Sequence, residues 1–452
     1  MTRDLKEEMA MKYIPYTLHN FTSIPQIQKL PDDQIKEIEI VGQVLPFKTN
    51  NHVVEHLIDW DNVPDDPMFV LTFPQKEMMP PGRFEILERL IAEKADKEEI
   101  RTFVEQVRLE MNPHPAGQIE HNVPVLGDDI LYGMQHKYSE TVLFFPSQGQ
   151  TCHAYCTFCF RWPQFVGMDE LKFATKETDL LVQYIAAYPE ITDVLFTGGD
   201  PLIMNASLLA GYIEPLLDSG IPNLQNIRIG TRALSYWPYR FIDDDDAGDL
   251  LELFRKVCRA GKHLAFMAQF NHPIELENDA VREAIQRIQE TGAVIRTQSP
   301  LLRNINDSPE IWSELWRKQV GLNCIPYYMF IVRNTGAHQY FSIPLVRAWE
   351  IFQNAYKSVS GISRTARGPV MSCLPGKIQV LGPTDIKGEK VLGFRMIQGR
   401  SADWADRLFF AEYDEEATWY RDLTPAFGED KFFFEDELLE ILKPGEYESD
   451  YE

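Results

Sequence analysis

From Glu140 onward, short apolar runs of strand length alternate with longer stretches whose apolar residues recur at helical spacing. Glu140–Phe145, Asp193–Thr197, Asn226–Gly230, His263–Ala268, Ala293–Thr297 and Ile325–Val332 read as six strands. Between them, Leu171–Tyr188, Ala206–Asp218, Ala247–Ala260, Asp279–Thr291 and Ile311–Val320 read as helices. Regular alternation of this kind predicts an α/β fold with a parallel sheet. A partial (β/α)6 barrel is the natural architecture, and a doubly wound open sheet shares the same local pattern.

The flanks are less periodic. Residues 1 to about 50 mix short apolar runs with Pro and charge and carry no visible chemistry. Arg83–Met111 has the spacing of an amphipathic helical pair, and Asn112–Gln118 is a turn-rich break. After residue 380 the pattern turns to short β-like runs, aromatics and an acidic tail, Glu435–Glu452, read as a frayed end. The expected organisation is therefore a mostly helical N-terminal region over 1–135, a barrel over 136–345, and a C-terminal extension over 346–452.

Composition narrows the function. A net charge of −24 argues against nucleic-acid or anionic-membrane partners, which favour clustered Lys and Arg. No run approaches the ~18 apolar residues of a spanning helix, and the start MTRDLKEEMAMKY has no apolar core of a signal peptide. Six cysteines, three of them clustered, do not make a disulfide framework, so a reducing cytoplasm is expected.

The clustered cysteines are Cys152, Cys156 and Cys159, just after the first predicted strand. Thiolates are the ligands that soft metals and iron-sulfur clusters require, and gaps of three and two residues let one loop turn all three toward a point. A closed zinc site wants a fourth ligand. His153 is adjacent to Cys152, where its side chain tends to leave on another side, so three ligands with one open position is the reading. Other chemical residues also fall after strands, the end where α/β folds place their sites. Gly198-Gly199-Asp200 permits close backbone approach to a ligand. Arg228 and Arg232 each need an anionic partner if they point inward.

With these motifs in order, the chain from roughly residue 60 to 380 resembles the lysine 2,3-aminomutase family of radical S-adenosylmethionine (SAM) enzymes. Val63–Pro67 and Phe73-Pro74 resemble the segment that leads that family's chain toward the barrel. The resemblance implies a four-iron four-sulfur (4Fe-4S) cluster on the three cysteines with SAM at the open iron. It makes Gly198, Gly199 and Asp200 the loop that touches SAM, with Arg228 and Arg232 helping to hold it. Gln269–Pro273 and Gln298-Ser299 match segments lining the SAM pocket, which gives His272 and Gln298 as binding candidates. It further implies pyridoxal 5′-phosphate (PLP) on Lys377, with Lys137 and Tyr138 at its phosphate.

The chain departs from the family at several of these positions. Gly376 stands alone where a glycine run is expected, Thr141 replaces a phosphate-binding arginine, and Phe330 replaces a tyrosine. Arg161 matches the arginine that grips the substrate α-carboxylate, for which a guanidinium fork is suited. Arg333 stands where lysine-specific members carry an aspartate, and Ser372 or Cys373 replaces a second acidic residue. Two arginines facing one cavity suit an acidic amino acid, unless Arg333 turns outward to a carboxylate. By resemblance, the partners are an amino acid substrate, an external electron donor and further copies of the chain. A PLP-independent radical SAM enzyme acting on another small molecule or a protein lysine is the rival reading, and an iron-sulfur or zinc interaction protein is a third.

Overall fold

The computed structural model describes residues 11–112, 122–167 and 173–442. The turn-rich break beyond Asn112 and residues 171–172 of the helix expected over Leu171–Tyr188 lie outside the described residues. Eleven strands form one sheet in strictly sequential order. They are β1 (Met134–Tyr138), β2 (Thr141–Phe144), β3 (Asp193–Phe196), β4 (Asn226–Thr231), β5 (His263–Gln269), β6 (Val294–Leu301), β7 (Ile325–Ile331), β8 (Arg367–Ser372), β9 (Gly376–Ile386), β10 (Glu389–Gly399) and β11 (Leu408–Glu412). Strands β2 to β8 are all parallel, and antiparallel pairs continue the sheet at both ends.

Each parallel crossover carries a helix, as that topology demands. In chain order these are α1 (Thr178–Ala187), α2 (Ala206–Asp218), α3 (Ala247–Arg259), α4 (Asp279–Gln289), α5 (Pro309–Gly321) and α6 (Leu345–Lys357). The side-chain period of two sorts each strand. Phe144, Phe196, Ile229 and Phe266 stand in one register row, fully buried in the core beneath the helices. Their neighbours Leu143, Leu195 and Arg228 point to the opposite face and line a cavity. The sheet curls around that face, because Lys137 on β1 donates to the carbonyl of Cys373, beyond β8.

Three expectations change. The series has seven parallel strands, because α6 and β8 extend it past residue 345. The division at 345/346 therefore cuts one continuous sheet, and the C-terminal part is not an appendage. The helix expected from Leu171 begins only at Thr178, after a bridge between Pro146 and Thr175. Of the acidic tail, Glu435–Ile441 is a helix, pinned where Trp404 Nε1 donates to Glu437 at 2.6 Å. Residues 443–452 lie outside the described residues.

The N-terminal region forms its own apolar layer, from Phe21 through Met111, over the strand ends. Ala154, Trp162, Tyr236, Leu302 and Phe341 belong to this cluster, with Cys156 and Cys159 packed against it. The layer is mostly helical, with a small ribbon pairing Pro15–Thr17 to Lys48–Asn50. Among the described residues no helix is long and apolar enough to cross a membrane.

Candidate active site

The cysteine loop leaves the carboxyl end of β2 and is held from outside by the N-terminal layer. Lys48 Nζ donates to the carbonyl of Cys152 at 2.8 Å, and the amide of Tyr155 donates to the carbonyl of Lys48 at 2.8 Å. Tyr13 donates to the carbonyl of His153 at 2.7 Å, and Thr157 Oγ1 to that of Val70 at 2.8 Å. Residues 1–50 showed no chemistry in sequence, yet Tyr13 and Lys48 among them brace the loop that does. His153 packs edge-on against Tyr13, 5.8 Å between centroids, and burial drives its pKa down to about 3.

Burial pushes all three thiols upward, Cys159 to about 12, with neighbouring cysteines adding to the rise at Cys152 and Cys159. A thiolate set there needs positive charge and donors beside it. Those are present. Arg232 lies next to Cys156, and its Nε, like Asn271 Nδ2, is buried with no hydrogen-bond partner among the described residues. Among the described residues no three His, Cys, Asp or Glu side chains converge as they would on one ion. Three thiols on one short loop, with the charge of Arg232 beside Cys156, are a donor set that fits a 4Fe-4S cluster.

Several residues expected to touch SAM also hold this loop. A Cβ on Gly199 would lie 2.4 Å from the Thr151 carbonyl oxygen, and one on Gly198, at φ +148°, 2.4 Å from Gln150 Nε2. The glycines therefore allow close approach of the cysteine loop. Asp200 is buried, accepting from the amides of Leu202 and Arg232 at 3.0 and 2.8 Å and from Thr231 Oγ1 at 2.9 Å, while its own amide donates to Thr151. It ties β3, β4 and the loop together. His272 caps the turn Pro273–Leu276 through Nδ1 and does not line the cavity.

Arg228 and Arg232 part company. Arg232 reaches Glu275 at 3.0 Å near the cysteines. Arg228, a turn of strand earlier, pairs with Asp193 at 2.7 Å and places Nη2 3.5 Å from Thr141 Oγ1, deep in the curl. A guanidinium thus stands beside the position where the expected arginine is Thr141.

The cavity enclosed by the sheet measures about 490 Å³. Its lining includes Lys377, Tyr138, Lys137, Gln298, Arg161 and Arg333. Lys377 Nζ donates to Gln398 Oε1 at 2.6 Å and lies 4.7 Å from the ring centroid of Tyr138. Burial, with Arg228 and Arg367 nearby, lowers its pKa to about 7. Such an amine is about half neutral near pH 7, far more so than an ordinary lysine, and suited to attack an aldehyde. Arg228, Thr141 and Tyr138 around it also fit an anionic cofactor such as PLP. Phe330 carries no hydroxyl, but Tyr328, two residues earlier on the same face, stacks on it at 4.8 Å and offers its ring to Lys377. The period of two made that substitution visible in principle.

Arg161 is buried with its guanidinium 4.2 Å over the Phe145 ring and has no hydrogen-bond or ion-pair partner among the described residues. Its pKa falls to about 9, through burial first and Arg333 second. Arg333 does not turn outward. It donates to Ser372 Oγ at 3.2 Å and lies 4.2 Å over Phe160, which Arg161 also faces at 5.3 Å. Counting Arg400 and Arg421, which no sequence signal marked, seven basic side chains among the described residues line the cavity against one carboxylate, Asp193. This inverts the sign of the whole chain, with 68 acidic and 44 basic residues.

No family model matches the chain. It is 30% identical over 405 residues to a putative L-lysine 2,3-aminomutase of Aquifex aeolicus, spanning 90% of this chain and 95% of that protein. It is 26% identical over 363 residues to L-lysine 2,3-aminomutase of Bacillus subtilis, spanning 79% of this chain and 66% of that enzyme. Among solved structures, a radical SAM methyltransferase from Sphaerobacter thermophilus superposes with a TM-score of 0.38 at 16% identity, covering 64% of this chain and 93% of that one. A superposition that loose adds nothing to the fold described above.

Proposed function

The chain belongs to the L-lysine 2,3-aminomutase family, and from that premise we propose that it is a radical SAM, PLP-dependent 2,3-aminomutase of an acidic amino acid. When bound, the cluster and SAM supply hydrogen-atom abstraction, and PLP supplies stabilisation of the adjacent radical during amino migration. The protein's part is placement. Lys377, with its lowered pKa, presents a neutral amine to the cofactor aldehyde. Arg161 offers an unpaired guanidinium fork to the α-carboxylate. Arg333 offers another to the side-chain carboxylate, and the N-terminal layer keeps water from the cysteine end.

The observation that carries the acidic assignment is the pair Arg161 and Arg333, both facing the ring of Phe160 and neither ion-paired among the described residues. Two cations so close, Arg161 buried and Arg333 half-buried, repel each other, and anions entering the cavity offset that cost. A lysine side chain brings a third cation to the same place. A reducing cytoplasm, an external electron donor and association with further copies of the chain complete the reading.

The test is anaerobic reconstitution with iron, sulfide, SAM and PLP, then reduction with dithionite in the presence of L-glutamate, L-aspartate or L-lysine. We expect 5′-deoxyadenosine with an acidic substrate and a β-amino acid from L-glutamate; from L-aspartate migration returns aspartate, so isotope position at C2 and C3 is read instead. Turnover of lysine alone overturns the substrate assignment. SAM cleavage without a phosphopyridoxyl adduct on Lys377 after borohydride reduction overturns the PLP assignment.

A further inference from the structure

The cavity's basic residues come from two parts of the chain. Five belong to the strands and loops up to Lys377, whereas Arg400 follows β10 and Arg421 lies in the turn after β11. Both later arginines line the same cavity, and Arg400 meets the turn Ser372–Leu374. Arg400 Nε donates to the carbonyl of Leu374 at 3.0 Å and its Nη2 to Asn122 Oδ1 at 2.7 Å. On the same turn Arg333 bonds Ser372 Oγ and Lys137 bonds the Cys373 carbonyl. For Lys137 and Arg333, the partners among the described residues are neutral oxygens.

Arg421 lines the same cavity, its Nε donating to the Tyr420 hydroxyl at 3.2 Å, and its charge acts on Cys373. Its neighbour Asp422 is engaged within its own turn, accepting from the Thr418 amide at 2.9 Å, Thr418 Oγ1 at 3.1 Å and the Trp419 amide at 2.9 Å. Those bonds stiffen the turn that presents Arg421 at the cavity rim, where Tyr420 and buried Trp419 also line it.

We infer that Arg333, Arg400 and Arg421 form one subsite for the distal carboxylate of the substrate, so that the C-terminal segment determines which side chains are accepted. This deepens, and rests on, the acidic-substrate reading above. The turn Ser372–Leu374 is the floor of the subsite. A dicarboxylate spans from Arg161 to these arginines, whereas a monocarboxylate engages Arg161 alone.

The experiment is calorimetric titration of the full-length, anaerobically reconstituted, unreduced protein with glutarate and, separately, valerate. Glutarate is expected to bind the wild type, and Arg421→Gln to weaken it by about tenfold or more while leaving valerate unchanged. Arg400 also anchors Leu374, so the exposed Arg421 is the deciding position and Arg400→Lys the supporting one. Equal glutarate affinity in wild type and Arg421→Gln overturns the subsite, as does an equal loss for both acids or no glutarate binding at all. Arg421-dependent glutarate binding in a protein that rearranges no amino acid leaves the subsite standing and removes the aminomutase reading.

Discussion

The hydroxyl of Tyr236 stands 3.6 Å from Sγ of Cys156, and the guanidinium of Arg232 lies 4.1 Å from the centroid of the same ring. Arg232 is in turn held by Glu275, which is fully buried and also receives Ser235 Oγ. One cysteine corner is thus furnished with a donor and a fixed positive charge. Hydrogen bonds to cluster sulfurs favour the electron-rich reduced state. Tyr236→Phe removes one bond worth about 1 kcal/mol, equivalent to roughly 40 mV for one electron, and moves the midpoint potential downward. Redox titration followed by electron paramagnetic resonance reads this directly, and an unchanged potential removes the donor role.

Lys377 titrates far below an ordinary lysine. Attack on an aldehyde needs the neutral amine, so reactivity appears as pH rises through the folded-state pKa. With that pKa at about 7, PLP adduct formation on Lys377, trapped with borohydride and followed by peptide mass spectrometry, is expected to reach half its maximum near pH 7. Surface lysines, near 10.4, respond only at much higher pH. A midpoint above pH 9 contradicts the buried environment.

Gly199 leaves no room for a methyl group. The contact lies against backbone, the Thr151 carbonyl, so Gly199→Ala forces the cysteine loop itself to shift. Overpacking of this kind costs about 1–3 kcal/mol. The expected outcome is lower bound iron per chain together with a lowered melting temperature. Full iron loading at wild-type stability contradicts the close packing.

Charge reversal at Arg333 is a test of selectivity. Arg333→Asp removes a guanidinium from the distal end and supplies a partner for an ammonium group. Loss of a buried charged contact costs about 2–5 kcal/mol, so kcat/KM for the acidic substrate should fall about 30-fold or more. Lysine turnover should rise relative to wild type. Parallel losses for both substrates indicate a structural role only.

The sequence shows which end of the sheet carries chemistry more readily than which way each side chain faces. The cysteine spacing and the strand-helix alternation are local signals, and both were legible. Strand β8 was not, because Gly368 and Pro369 lie inside it and both argue against a strand. Gly198, Asp200 and His272 follow strands as expected, but their side-chain space is taken by Gln150, Thr231 and the amide of Ile274. Arg228 and Arg232 lie four residues apart, about 13 Å along a strand, so one motif reaches two depths. Arg400 and Arg421 gave no signal, since their meeting in one cavity depends on the sheet curling back on itself.

The layer formed by residues 13–73 has a consequence for how the protein matures. The backbone of the cysteine loop is bonded to it through Lys48, Val70 and Tyr13, while the three thiols themselves stay half-buried. Residues 13–73 leave the ribosome before the loop they hold, so the loop folds against a brace that has already been made.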